Sequence, residues 1–321
     1  MTKKEEIFKI ISAHLRKVLD ATNIDFELLQ ELRLRINEPL ILIYDGKEYF
    51  VSENGNLEHE CELGYVVNTN DIKETLEYIS SFSLYAYEDE IRQGFITVQG
   101  GHRIGLAGKV ILEQGKVKSV KHISFINIRM SHEKKGCGKK IIPYIYDNNQ
   151  ICHTLVISPP GCGKTTLLRD MVRLISNGDD EHPGVSVGVV DERSEIGACY
   201  RGVPQNDIGM RTDVLDCCPK AEGMLMMIRS MSPALIAVDE IGKREDIDAL
   251  AYVMNCGCQI LATVHGSSID DVKNKPVLRK LVEEKLFKRF IVLSGEEKPG
   301  VVQNIFDERG SVLYDRMIRE W

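Results

Sequence analysis

The stretch that most restricts how this chain can fold runs from Thr154 to Ile175. A short apolar run, Thr154 to Ile157, enters Ser158-Pro159-Pro160-Gly161-Cys162-Gly163-Lys164-Thr165-Thr166, and Leu167, Leu168, Met171, Val172 and Ile175 then recur at helical spacing. Strand, glycine loop and helix in that order make a phosphate-binding P-loop. Gly161 and Gly163 keep side chains away from backbone amides that converge on an anion. The helix N-terminus aims its free amides and positive dipole end at the same point. Pro160 to Thr166 are thus the expected nucleotide cradle, with Lys164 reaching the β and γ phosphates of ATP and the Thr165 hydroxyl ligating Mg²⁺. The usual first glycine of the motif is Ser158 here, where Pro159 and Pro160 stiffen the turn.

Three further apolar runs follow the same plan: Val185 to Val190, Leu235 to Val238 and Gln259 to Val264, with helical stretches between them. That alternation predicts an α/β domain with a buried, mainly parallel sheet. Each run ends in polar groups: Asp191-Glu192-Arg193-Ser194-Glu195, Asp239-Glu240 and His265. In open α/β sheets ligands bind at the carboxyl ends of the strands, so Lys164, Asp191-Glu192, Asp239-Glu240 and His265 are expected along one edge. Asp239 would hold the Mg²⁺ and Glu240 would orient or deprotonate the attacking water. Glu192 is the second candidate base, and His265 a γ-phosphate or neighbouring-strand sensor. Arg211 is either a cation near the site or a member of a surface salt bridge. Phe287 to Leu293, Val301 to Phe306 and Val312 to Tyr314 read as a terminal antiparallel addition.

The first half has another character. Ile7, Ile10, Ile11, Leu15, Val18 and Leu19 predict one amphipathic helix. Strand-like runs cover 32–36, 40–44 and 48–51, the last two separated by Asp45-Gly46. A helix capped at Asn70-Asp71 runs to about Ser80, another covers 84–91, and 94–120 and 123–130 are β-rich. The sequence therefore divides into an α+β domain over 1–130, a lysine- and glycine-rich linker over 131–150 and the P-loop domain over 151–321.

Composition narrows the function class. Hydrophobic residues make up 43% and charged residues 28%, which excludes a disordered or collagen-like chain. The longest apolar runs, such as 40–44, fall far short of the ~18 residues a spanning helix needs. No signal peptide is visible, so a soluble, cytoplasmic protein is expected. Nine cysteines without paired spacing read as reduced thiols rather than a zinc site. The net charge of -7 conceals an uneven distribution. Asp45 to Glu90 holds twelve acidic and two basic residues, a net of -10, and Arg92 to Lys140 holds eleven basic and two acidic, a net of +9. The blocks either face each other within one fold, make solvated faces, or offer the basic one to a neighbour's nucleotide, a nucleic acid or a lipid surface.

The P-loop, Asp191-Glu192-Arg193-Ser194-Glu195-Ile196, Val238-Asp239-Glu240-Ile241-Gly242 and Ala262-Thr263-Val264-His265-Gly266 together resemble the stage III sporulation protein AA family, as do Leu32 to Ile36 and Gln93 to Thr97. That family is similar to the ATPases of type II and type IV secretion systems. The resemblance implies a RecA-like C-terminal domain, an α+β N-terminal domain, a homo-hexameric ring, and recruitment by membrane-embedded partners to the cytosolic face of the mother-cell side of the forespore membrane. It also implies that an N-terminal-domain arginine such as Arg92, Arg103 or Arg129 approaches the nucleotide. ATP hydrolysis would then drive assembly of, or transport through, a secretion-like channel between mother cell and forespore. The alternatives are a P-loop ATPase acting on nucleic acid and a nucleotide-gated scaffold with little turnover. Nucleic acid is not expected, because only Phe95 and Phe125 are aromatic within 92–140.

Overall fold

A computed structural model describes residues 2–80, 87–295 and 299–316. The chain divides into two units, Met1–His132 and Glu133–Trp321.

In the first unit, α1 (Lys3–Ile10) and α2 (Ala13–Asp20) replace the single expected helix. Ser12 causes the break. Its hydroxyl accepts the Leu15 N–H at 3.2 Å and donates to Asp71 at 2.9 Å, so it caps α2 and ties it to the next helix. The strands are β1 (Leu29–Arg35), β2 (Ile41–Tyr44), β3 (Lys47–Val51) and β4 (Leu57–Glu58). Then follow α3 (Thr69–Ile79), α4 (Glu88–Gln93), β5 (Phe95–Thr97), β6 (Arg103–Glu113) and β7 (Lys116–Arg129). The part of the expected 84–91 helix before residue 87 lies outside the described residues. The sheet runs β4-β3-β2-β1-β7-β6-β5. Leu32 and Leu34 of β1 point inward between outward Glu31, Arg33 and Arg35, as a half-buried strand requires, and join Ile7, Leu15, Ile72, Ile126 and Ile128 in one core.

In the second unit the hairpin β8 (Tyr146–Asp147) and β9 (Gln150–Ile151) precedes β10 (Thr154–Ser158) and α5 (Lys164–Asn177). Then come β11 (Val187–Asp191), β12 (Thr212–Asp216), α6 (Lys220–Ser230), β13 (Leu235–Val238) and α7 (Arg244–Asn255). The last elements are β14 (Gln259–His265), α8 (Ile269–Asn274), α9 (Arg279–Glu283), β15 (Arg289–Leu293), β16 (Val302–Asp307) and β17 (Val312–Asp315). The eight-stranded order is β12-β11-β13-β14-β10-β15-β16-β17. The sheet is parallel as far as β15, which pairs in parallel with β10; only β16 and β17 are antiparallel. The expected terminal addition is thus shorter by one strand. Strand β12 escaped the sequence reading because Thr212-Asp213-Val214-Leu215-Asp216 is a polar edge without an apolar run. Residues 131–150 are not free linker throughout: Ile141, Ile142 and Ile145 are buried against Leu167 and Met171 in the second core.

Candidate active site

Local sequence sets the phosphate loop. Gly161 (φ +75°) and Gly163 (φ +84°) adopt left-handed backbone, and Gly163 caps α5. A Cβ on Gly161 would meet nothing within 4 Å, which leaves the loop open on that side. A Cβ on Gly163 would lie 2.7 Å from the Gly300 nitrogen. Gly300 N–H donates to the Cys162 carbonyl at 2.8 Å, so the segment after β15 braces the loop from below. Ser158 is the last residue of β10 and its hydroxyl donates to the Pro159 carbonyl at 2.9 Å. It has no left-handed φ, so a glycine is not needed there.

Strand order β11-β13-β14-β10 lines up the carboxyl ends. Ser158 is registered with His265, and Val238 with Val190 and Ala262. The side chains then meet. Thr165 Oγ1 donates to Asp239 Oδ2 at 2.6 Å, and the Thr263 hydroxyl donates to Asp239 Oδ1. Lys164, with only 9% of its side chain exposed, pairs with Glu240 Oε1. Arg193 reaches Glu240 Oε2 at 2.9 Å, and His265 Nε2 lies 3.1 Å from Glu240 Oε1. Glu240 has a left-handed backbone (φ +54°), and its N–H donates to Thr263 Oγ1 at 2.9 Å. Burial opposes ionisation of Glu240, but Lys164, His265 and Arg193 together hold its carboxyl below the ordinary value.

Glu192 is differently occupied. Lys220 pairs with its Oε2 and Lys243 lies 3.6 Å from its Oε1, so both oxygens carry a cation; despite its burial these lysines depress its pKa. Asp191 is a structural carboxylate that accepts the N–H groups of Glu195, Ile196 and Gly197, each at 2.9 Å. Burial pushes it up to about 6 despite those bonds.

One expected residue is not brought to this cluster. The Arg211 guanidinium donates to the carbonyls of Ser176 (2.9 Å) and Asn177 (3.3 Å) at the far end of α5, roughly 20 Å of helix from the loop at ~1.5 Å per residue. It caps the helix there rather than forming a surface salt bridge. Arg129 belongs to the first unit, where it lies 3.5 Å from Glu31 with 61% of its side chain exposed. Conversely, Arg193, Lys220 and Thr263 enter the cluster without having been singled out as site residues. Thr263 carried one usable signal, since it shares a strand face with His265.

A cavity of about 310 Å³ lined by Cys137, Ile141, Gly300, Val302, Ile305 and Tyr314 is reached from the same loop, because Gly300 bonds Cys162 and Cys137 Sγ lies 3.9 Å from the Thr166 carbonyl. All nine cysteines are free thiols, and no metal-ligating cluster of His, Cys, Asp and Glu exists among the described residues.

The family described as Sporulation stage III, protein AA matches residues 1–313. Stage III sporulation protein AA of Bacillus subtilis is 45% identical over 285 residues, 89% of either chain. Among solved structures, the Legionella pneumophila ATPase DotB aligns with TM-score 0.54 and 16% identity over 92% of this chain and 79% of its own. The pilus retraction motor PilT with bound ADP aligns with TM-score 0.53 and 13% identity over 83% and 74%. The fold is accordingly that of the RecA-like secretion ATPases, with a separate antiparallel-sheet unit ahead of it.

Proposed function

The chain belongs to the sporulation stage III protein AA family, and from that membership and the geometry of its P-loop we propose that it is an Mg²⁺-dependent ATPase. The observation that carries the reading is the meeting of two elements 75 residues apart in sequence: Lys164 and Thr165 on one, Glu240 and Asp239 on the other. The residues suit a magnesium nucleotide. Gly161 leaves open space above the loop, Thr165 Oγ1 and Asp239 Oδ2 are two oxygen ligands side by side, and Lys164 is a buried cation with one carboxylate to exchange. The cavity beside the loop, lined by Lys140 and Arg316 as well as Ile141, Val302 and Tyr314, offers room for the nucleoside. Mg²⁺ bound by Thr165 and Asp239 supplies charge neutralisation on the phosphates.

Lys164 releases Glu240 when it turns to a phosphate oxygen. Glu240, still flanked by Arg193 and His265, then accepts a hydrogen bond from water and takes its proton. Glu192 is held by two lysines and serves to position Lys220 and Lys243 rather than as the base. The cycle of ion pairs is the device by which hydrolysis moves protein. On the family's name and the fold shared with DotB and PilT, the work is assembly of, or transport through, a membrane-embedded channel during sporulation, performed by a ring of six. No described helix is long and apolar enough to cross a membrane, so membrane partners would recruit the ring.

Lys164→Ala should abolish hydrolysis with circular dichroism unchanged. Turnover equal to the parent protein would remove the reading.

A further inference from the structure

The first unit carries opposite charges at the two ends of one sheet. Six of the twelve acidic residues, Asp45, Glu48, Glu53, Glu58, Glu60 and Glu62, lie on β3, β4 and the turns around them, at one edge; β6 and β7 carry six of the eleven basic residues near the other. The acidic residues at that edge make no ion pair with the lysines of β6 and β7 among the described residues; the one such lysine that is paired, Lys118, bonds Glu113 of its own ribbon.

The basic end has an unusual form. Strand β1 pairs with β7 only over 125–129, and β5 pairs with β6 only over 103–105, so residues 109–121 continue as a two-stranded ribbon, tied to α4 where the Arg92 guanidinium donates to the Lys118 carbonyl at 2.9 Å. Such ribbons are marginal in water on their own. Lys109 sits directly opposite Lys121, an arrangement that costs stability unless an anion lies between. Neither has an acidic partner among the described residues, and Lys116 and Lys118 flank the tip. Between the lysines, Val110, Leu112 and Val117 are exposed at 48%, 62% and 43%.

The acidic end mirrors this. Asp45, Glu53, Glu60 and Glu62 are exposed without a lysine or arginine partner among the described residues, and Leu63 and Val66 are exposed beside them at 53% and 55%.

We propose that the 109–121 ribbon of one copy docks on the β4 edge of a second copy, its lysines against Glu60 and Glu62 and its valines and leucine against Leu63 and Val66. The occupant follows from complementarity in both charge and apolar area. Residues 109–121 contain no aromatic side chain to stack on bases or anchor in a headgroup layer, and the net charge of -7 opposes an anionic surface. Because the two surfaces differ and lie at opposite ends of one sheet, the contact is head-to-tail and propagates into a ring or filament. The inference gives the proposed ring an interface; it rests on self-association and not on hydrolysis.

The test uses the full chain and two charge-reversed variants, Lys109→Glu/Lys121→Glu and Glu60→Lys/Glu62→Lys. Sedimentation velocity with saturating MgATP should show each variant alone associating more weakly by about tenfold or more, since like charges then face each other. An equimolar mixture should recover assembly, because each contact then joins opposite charges again, and about 0.5 M salt should dissociate it. Binding of a fluorescent ATP analogue should be unchanged in both, which separates this interface from the nucleotide site. Variants that assemble like the parent, or a mixture that stays dissociated, overturn the proposal. So does intact assembly with lost pelleting on phosphatidylglycerol vesicles, which would assign the ribbon to a membrane.

Discussion

Lys164 is the residue on which the site turns. It is buried, and a buried ammonium must have an anionic partner. In the chain by itself that partner is Glu240. Any phosphate that enters the loop competes for the same cation, so binding and release of the base are one exchange. The two candidate carboxylates then separate experimentally. Glu240→Gln should keep nucleotide binding and lower turnover by about 10²–10⁴-fold, the range for loss of a general base. Glu192→Gln should cost far less, measured by phosphate release under single-turnover conditions; equal losses would contradict the assignment. The motif residues were legible because their chemistry is local: glycines, a lysine and a threonine adjacent in sequence. Arg193, Lys220 and Thr263 were not, since each acquires its role only from the carboxylate it meets across the sheet.

Among the elements, the end of β7 and the start of β6 are tied to α1 through one imidazole. His102 is fully buried, its Nε2 lies 3.0 Å from Glu6 Oε2, and its Nδ1 accepts the Ser131 N–H at 3.2 Å. One ring nitrogen donates and the other accepts, which is the neutral form. Burial, then the positive charges of Lys3 and His132, push its pKa down from 6.5 to about 3. The unfolded chain takes up a proton near 6.5 and the folded one does not, so stability is whole above that pH and is lost as pH falls toward 3. At pH 5 the loss is on the order of 2 kcal/mol. Urea midpoints at pH 7 and pH 5 should differ more in the parent than in His102→Gln; identical differences would exclude this histidine as the cause. Helix and strand types followed from periodicity, but the break at Ser12 did not, because its cause is a hydrogen bond to Asp71, 59 residues away.

At the scale of the molecule, each unit has its own buried core, and every side chain in the cluster around Glu240 comes from the second. At concentrations where the protein is monomeric, MgATP should therefore slow amide exchange at Cys162 to Thr166 and around Glu240. Protection confined to residues 3–129 would place the nucleotide elsewhere. The sequence by itself determined the parallel sheet, the phosphate loop and which strand ends carry carboxylates, because glycine conformation, strand burial and helix dipoles are properties of a few neighbouring residues. It also determined the size of the two charge blocks. Only the tertiary structure decided that the Glu60 and Glu62 turn and the 109–121 ribbon lie toward opposite edges of one sheet, that Arg211 caps the remote end of α5, and that Lys164 rests on Glu240. Those outcomes depend on which strands become neighbours, and strand order is fixed by long-range packing that no local pattern encodes.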